Sequence, residues 1–334
     1  MKVGINGFGR IGRLCLRALL RRHPQVEVAA VNDLATPAQL AYLFKYDSNY
    51  GKWPGDVEAE GSALRIDGRR IAITAEPDPA RIPWRDLDVA VVLECTGRYT
   101  DATRADAHRT AGAAKVIISA PAKNDHLTIV MGVNHGKYDP REHHLLSNAS
   151  CTTNGLAPMA AVLHQRFGIV RGFMTTVHAY TNSQGMQDII RADLREGRAG
   201  AENLVPVSTG AARAIGRVLP ELNGRLDGLA IRAPVPSVSI VDLVATYERP
   251  VTASAVNAAL AEAAASPDLT GILGFSEEPL VSSDLRGDTR SSIIDGPLTL
   301  AGDHMAKTHA WYDNEWGYSC RLGDLVTFVL ERGW

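Results

Sequence analysis

The sequence predicts an α/β chain of two domains: a parallel sheet covered by helices, then an α+β domain on a mixed or antiparallel sheet. Three observations predict it. At 334 residues the chain is longer than one typical domain. Over roughly the first 150 residues, strand-like runs alternate with helical ones, the order that builds a parallel sheet with covered faces. Beyond that point strand-like runs predominate, with fewer helices between them.

The elements follow in order. Lys2–Asn6 is a short apolar strand, Arg10–Arg21 has helical spacing, and Val26–Asn32 is a second buried strand. Pro37–Lys45 reads as a short helix. Ala63–Thr74 alternates apolar and polar residues around Asp67-Gly68, a strong hairpin signal. Val89–Cys95 is a continuous apolar run suited to a central parallel strand. Residues 101–111 have the spacing of a helix, and Lys115–Ser119 that of a strand. A helix starting near Cys151 leads to a strand at Gly172–His178, then to a polar stretch, Tyr180–Asn203, without regular periodicity. Loops of that length are commonly functional. Strand-like runs follow at Leu229–Arg232, Ser237–Tyr247 and Thr308–Tyr312, with a helix at Ala253–Ala265. The last helix, about Glu315–Leu330, is amphipathic and is expected to pack back on the first domain. Residues 1–150 with 316–334 are therefore expected to form the first domain, and 151–315 the second.

Composition narrows the function. Lys plus Arg is 35 against 37 acids, without the basic excess of a protein devoted to nucleic acid. No stretch approaches the roughly 20 apolar residues of a membrane span. The opening MKVGINGFGR lacks the apolar core and cleavage site of a signal peptide. The four cysteines, Cys15, Cys95, Cys151 and Cys320, stand far apart without a C-x-x-C pair, so neither a disulfide framework nor a zinc site is expected. A cytoplasmic protein of a reducing compartment, with no metal, is the expectation.

Gly7-Phe8-Gly9-Arg10-Ile11-Gly12 matches G-x-G-x-x-G at the junction of the first strand and first helix. There the glycines permit a tight turn and let a pyrophosphate approach the helix N-terminus, whose free N–H groups favour negative charge. The second strand ends at Asn32-Asp33, where a carboxylate can bond the two hydroxyls of an adenosine ribose and repel a 2′-phosphate. The first domain thus reads as a Rossmann-type site for NAD rather than NADP.

Cys151 lies in a run of small and polar residues, Ser147–Asn154, fit to cap a helix. A thiol at a helix N-terminus is expected to have a lowered pKa. Cys15 and Cys95 sit in apolar patterns and read as small buried hydrophobes. His178 ends the apolar run Phe173–Val177 before a polar loop, so it should emerge at a sheet edge as a base for the thiol. The other nine histidines read as surface residues, with His143-His144 in a turn.

Ser147–Asn154 with Leu156-Ala157-Pro158, Thr175–Thr181, Ser208–Ala212, Trp311–Ser319 (WYDNEWGYS) and the opening KVGINGFGRIGR together resemble the phosphorylating glyceraldehyde-3-phosphate dehydrogenases. The resemblance runs from residue 1 to the C-terminal helix. It implies that Cys151 attacks an aldehyde carbon and that His178 takes the hydroxyl proton as hydride leaves for the nicotinamide. Inorganic phosphate then cleaves the thioester. The implied phosphate contacts are Thr181 and Arg232 for the substrate phosphate, and Arg195, Thr209 and Gly210 for the attacking phosphate, with Ser150 and Thr152 flanking the nucleophile. For the cofactor it implies Asn6, Gly7, Gly9, Arg10, Ile11, Gly12, Asp33, Thr96, Gly97 and Ser119, with Asn314 on the carboxamide and Tyr318 near it. It also implies a homotetramer in which the loop Tyr180–Asn203 meets a neighbouring subunit.

The chain departs from the family pattern in three places. Gly155 stands where many relatives have a second cysteine, Ile189-Ile190 where strictly NAD-using relatives have Leu-Pro, and Ser183 where an acid is frequent. The second departure leaves NADP use open beside Asp33. An erythrose 4-phosphate dehydrogenase is the nearest rival, which Thr181 disfavours by supplying a phosphate donor. A non-catalytic NAD-binding protein is the rival of another class, disfavoured by the presence of both Cys151 and His178.

Overall fold

The computed structural model describes residues 2–334 and resolves them into two compact units. One comprises the chain up to Ile129 with Gly136–Ala149 and Ser319–Trp334; the other comprises Val130–His135 and Ser150–Tyr318.

The first unit opens with β1 (Lys2–Asn6), α1 (Arg10–Arg22), β2 (Glu27–Asn32) and α2 (Pro37–Lys45), followed by a small ribbon of β3 (Tyr46–Asp47) and β4 (Gly51–Lys52). Next come β5 (Val57–Ala59), β6 (Ala63–Ile66), β7 (Arg69–Thr74), β8 (Val89–Glu94), the single turns α3 (Ala102–Ala105) and α4 (Ala107–Thr110), β9 (Lys115–Ile118), β10 (Leu127–Thr128) and β11 (Leu145–Ser147). The sheet order is β10-β11-β9-β8-β1-β2-β7-β6-β5. Every pair from β10 to β7 is parallel, and only β6 and β5 are antiparallel additions at one edge. β8 and β9 are buried along their whole length, as continuous runs between two covered faces require. Strand order reverses between β1 and β8, which opens a crevice at their carboxyl ends. At the β6–β7 turn, Asp67 and Gly68 both take positive φ (49° and 79°), the conformation that matches the twist of a two-residue hairpin. The helical spacing over 101–111 resolves into two turns, not one helix: the Asp106 N–H is shared between the carbonyls of Ala102 and Arg104, which tightens the chain and breaks the run.

The second unit contains α5 (Cys151–Phe167), β12 (Ile169–Ala179), β13 (Val205–Ser208), α6 (Ala211–Val218), β14 (Leu226–Ala233), β15 (Ser239–Tyr247) and α7 (Ala253–Ala264). It continues through β16 (Leu273–Ser276), β17 (Ser292–Asp295), β18 (Leu300–Gly302) and β19 (Met305–Tyr312) to the start of α8 (Trp316–Arg332). The sheet is mixed, in the order β13-β14-β12-β15-β19-β17-β16 with β18 beside β19. β12 pairs parallel to β14 and antiparallel to β15. Along β12 the period of two is plain: Met174, Thr176 and His178 are buried, whereas Phe173 and Val177 on the opposite face are 67% and 38% exposed. α5 packs on β12, β15, β17 and β19, so it covers one face. Residues 180–203 contain no helix or strand, as expected. The loop folds back on itself through the Ile189 N–H to Gly197 carbonyl bond (2.8 Å) and the Arg198–Asp188 ion pair (3.1 Å).

From Ser319 onward α8 counts with the first unit. Its Asp324 accepts from His23 at 2.8 Å and from Arg321 at 2.7 Å, and the Tyr138 hydroxyl donates to the Gly333 carbonyl.

Candidate active site

In the first unit the crevice is a cleft of about 340 Å³ lined by Asn6, Gly7 and Gly9 after β1, Asn32, Asp33 and Leu34 after β2, and Thr96 after β8. Each glycine of the turn has its own reason. Gly7 has φ +90°, and a Cβ there would lie 2.7 Å from the Thr96 nitrogen. A Cβ on Gly12 would meet the Gly7 carbonyl oxygen at 2.1 Å, so only glycine lets α1 start this close to the turn. A Cβ on Gly9 would meet nothing within 4 Å, which leaves the cleft wall open to a ligand. No side chain caps α1 at Gly9, so its first N–H groups face outward for an anion. The Asp33 carboxylate accepts from the Phe8 and Ala35 N–H groups (2.7 and 3.0 Å), which fixes its orientation and leaves lone pairs for a diol. These residues fit a dinucleotide.

Of the other expected cofactor contacts, Ile11, Gly12, Gly97 and Ser119 do not line this cleft. The Arg10 guanidinium is paired with Asp47 at 2.7 Å and lies over the Tyr50 ring. Asn314 and Tyr318 belong to the second unit and are buried; the Asn314 Oδ1 accepts from the Ser239 hydroxyl at 3.1 Å. Glu76, Pro77, Cys95, Arg98 and Tyr99 line the cleft without having been marked by the sequence. Cys95 is thus a partly exposed cleft residue and not a core one, because β8 ends one residue before it. Burial of its sulfur still pushes its pKa up to about 12. His108 is likewise a correction: it is completely buried, not a surface residue, because Glu94 and Trp84 satisfy both ring nitrogens.

In the second unit the reactive pair is assembled by α5 and β12. Ser150 caps α5, its hydroxyl accepting from the Thr153 N–H at 2.9 Å, and this places Cys151 in the first turn. His178 is delivered by the buried face of β12, and its Nε2 lies 3.4 Å from the Cys151 Sγ. Two groups compete for the other ring nitrogen. The Ala179 carbonyl stands 2.7 Å from Nδ1 and requires a proton there, whereas Arg232 Nη1, also at 2.7 Å, requires a lone pair. The position of Arg232 therefore selects the tautomer. Burial, reinforced by the Arg232 charge, pulls the His178 pKa down to about 3, so the imidazole is neutral at physiological pH. The expectation of a lowered Cys151 pKa is overturned: burial pushes the thiol up, and this outweighs Arg232 and the N–H groups at the head of α5, which pull it down. The sequence missed Tyr312. Its hydroxyl bonds those of Thr152 (2.8 Å) and Thr176 (2.7 Å), and its ring meets His178 edge-on at 6.0 Å. Thr152 is therefore already engaged.

The residues expected to hold the two phosphates all follow the pair in sequence. Arg232 adjoins His178, and its buried Nε has no hydrogen-bond partner. The Thr181 hydroxyl is 2.9 Å from that of Ser183. At the head of α6, the Thr209 hydroxyl accepts from the Ala211 N–H at 3.2 Å, and the space beside Gly210 is open. Arg195 lines a separate surface cleft with Leu194, Ser208 and Leu229.

A thiol held against a neutral imidazole, in a chain whose other unit has a cleft fit for a dinucleotide, marks a nucleotide-dependent oxidoreductase. Comparison with known proteins narrows the class. Residues 1–102 match the glyceraldehyde 3-phosphate dehydrogenase NAD binding domain, and residues 150–314 match the C-terminal domain of the same family. The chain is 55% identical over 334 residues to glyceraldehyde-3-phosphate dehydrogenase of Geobacillus stearothermophilus and 54% identical over 334 residues to glyceraldehyde-3-phosphate dehydrogenase 1 of Bacillus subtilis, covering all of this chain and 99% of each relative. It is 52% identical over 330 residues to the Streptomyces coelicolor enzyme of that name, covering 98% of both. The chain belongs to the glyceraldehyde-3-phosphate dehydrogenase family.

Proposed function

We propose that this chain oxidises D-glyceraldehyde 3-phosphate with NAD and inorganic phosphate to 1,3-bisphosphoglycerate, a step of glycolysis and gluconeogenesis. The observation that carries the reading is the 3.4 Å contact between Cys151 Sγ and His178 Nε2 at the head of α5. The Cys151 sulfur adds to the aldehyde carbon to give a hemithioacetal. His178 Nε2 then holds the hydroxyl proton as the carbonyl re-forms, which leaves a thioester on Cys151. When bound, NAD supplies the hydride acceptor. His178 can act as base only while Nδ1–H donates to the Ala179 carbonyl, which is the tautomer Arg232 opposes. A substrate phosphate that draws Arg232 away, with Thr181 as its second donor, therefore readies the base. Arg195, Thr209 and the Gly210 N–H hold the attacking phosphate, and Asn314 holds the carboxamide.

Asp33 favours NAD over NADP by repelling a 2′-phosphate. No helix among the described residues is long and apolar enough to cross a membrane, and the enzyme is read as cytoplasmic. It is read as a homotetramer, supported by the uncovered sheet face and by the loop side chains Met186, Ile190 and Leu194, which are 88%, 101% and 86% exposed.

An absorbance assay with glyceraldehyde 3-phosphate, run with NAD and NADP in parallel, tests the reading. Fast NAD reduction that needs phosphate and disappears in Cys151→Ala is expected. Faster NADP reduction would overturn the role given to Asp33, and faster turnover of erythrose 4-phosphate would overturn the substrate.

A further inference from the structure

We infer that His108 is a positioning residue for the nucleotide: it acts through the buried Glu94 carboxylate, which holds Asn6 and Thr96 at the floor of the cleft. The inference rests on the reading of that cleft as the nucleotide site.

The polarity of the network is fixed at its deepest point. An indole nitrogen can only donate, and Trp84 Nε1 lies 3.0 Å from His108 Nδ1. Nδ1 must therefore accept, and the ring proton sits on Nε2, 3.0 Å from Glu94 Oε2. The same oxygen accepts from Asn6 Nδ2 at 2.6 Å. The other carboxylate oxygen accepts from the Thr96 N–H at 2.7 Å and from the Thr96 hydroxyl. Glu94 is 2% exposed and His108 is fully buried, so each of these bonds replaces water that cannot enter.

The order set by Trp84 is passed on. With its amide nitrogen committed to Glu94, Asn6 presents Oδ1 to the Asn32 side chain at 2.8 Å. Asn32 in turn accepts from the Thr74 hydroxyl and the Glu76 N–H (2.8 and 2.9 Å). One chain of side-chain bonds thus crosses the carboxyl ends of β8, β1, β2 and β7, and Asn6, Asn32 and Thr96 also line the cleft. Without the His108 donor, a buried carboxylate is left short of a bond, and Asn6 and Thr96 lose the partner that aims them.

The test compares His108→Asn, His108→Gln, Trp84→Phe and Asp33→Ala by calorimetric titration with NAD and by steady-state kinetics. The His108→Asn amide can still accept from Trp84 but no longer reaches Glu94, and it should raise Kd and KM for NAD about tenfold, the scale of a lost supporting bond. Its kcat should stay within about twofold. The longer His108→Gln amide can donate to Glu94 and should recover most of the affinity. Trp84→Phe keeps His108 but releases its tautomer, and should raise Kd by about threefold. Wild-type affinity in His108→Asn, or in Trp84→Phe should the former fail to fold, overturns the proposal. So does an equal fall of affinity and kcat in both His108 variants, the mark of general loosening. If Asp33→Ala weakens binding while the His108 variants do not, the cleft reading stands and the positioning role fails. If none of them weakens binding, both fail.

Discussion

Arg232 answers to two groups at once. Its charge lowers the pKa of Cys151 and of His178, and its Nη1 competes for the ring nitrogen that must donate to Ala179. Arg232→Gln should therefore raise both pKa values, so the pH midpoint for alkylation of Cys151 by iodoacetamide moves upward from that of the wild type. KM for glyceraldehyde 3-phosphate should rise about 10–100-fold, as the loss of a charged hydrogen bond implies. An unmoved midpoint would remove Arg232 from the electrostatics of the pair. At this scale the sequence is legible where chemistry breaks a pattern. Cys151 stands among polar neighbours and His178 stops an apolar strand, so both declare themselves. Glu94 lies unremarked inside the apolar run Val89–Cys95, and His108, among Ala, Thr and Arg, reads as a surface residue. Only the meeting of β8 with α4 puts them in contact. The direction of the Cys151 shift was hidden for a related reason: a helix N-terminus is visible in sequence, whereas the depth at which the fold buries it is not.

The turn between β1 and α1 concentrates the element-scale constraints. Gly12→Ala places a methyl 2.1 Å from the Gly7 carbonyl, and backbone cannot yield as a side-chain tip can. The start of α1 must move, taking the Gly9 wall with it. NAD affinity should fall at least about tenfold, and Tm should drop by several degrees, since strain of this kind costs about 1–3 kcal/mol. Calorimetric titration and a thermal melt check both, and wild-type values in each would mean that the turn is not read correctly. Elements of this kind are legible where periodicity and special residues agree, as at Asp67-Gly68, which marks its hairpin; Gly168, which ends α5 at φ +73°, passes unread. The short strands β16, β17 and β18 and the helix α6 gave no signal, being too short to display a period. The break at Asp106 is equally silent, since one shared N–H leaves the apolar spacing unchanged.

On the scale of the whole molecule, the mixed sheet poses an unmet demand. α5 covers one face, while Phe173, Val177 and Leu229 on strands β12 and β14 remain exposed. A single chain does not normally leave such side chains to water. Sedimentation equilibrium should give four times the chain mass, and Phe173→Glu should shift the distribution to smaller species; a wild-type monomer would contradict this. The central claim, however, is chemical: the aldehyde is oxidised while covalently attached to Cys151. The most direct test mixes the enzyme with glyceraldehyde 3-phosphate and NAD in phosphate-free buffer, then measures NADH and the mass of the Cys151 peptide together. The account predicts a burst of about one NADH per chain, an acyl adduct on Cys151, and loss of that adduct when phosphate is added. Sustained NADH production with Cys151 unmodified would contradict it.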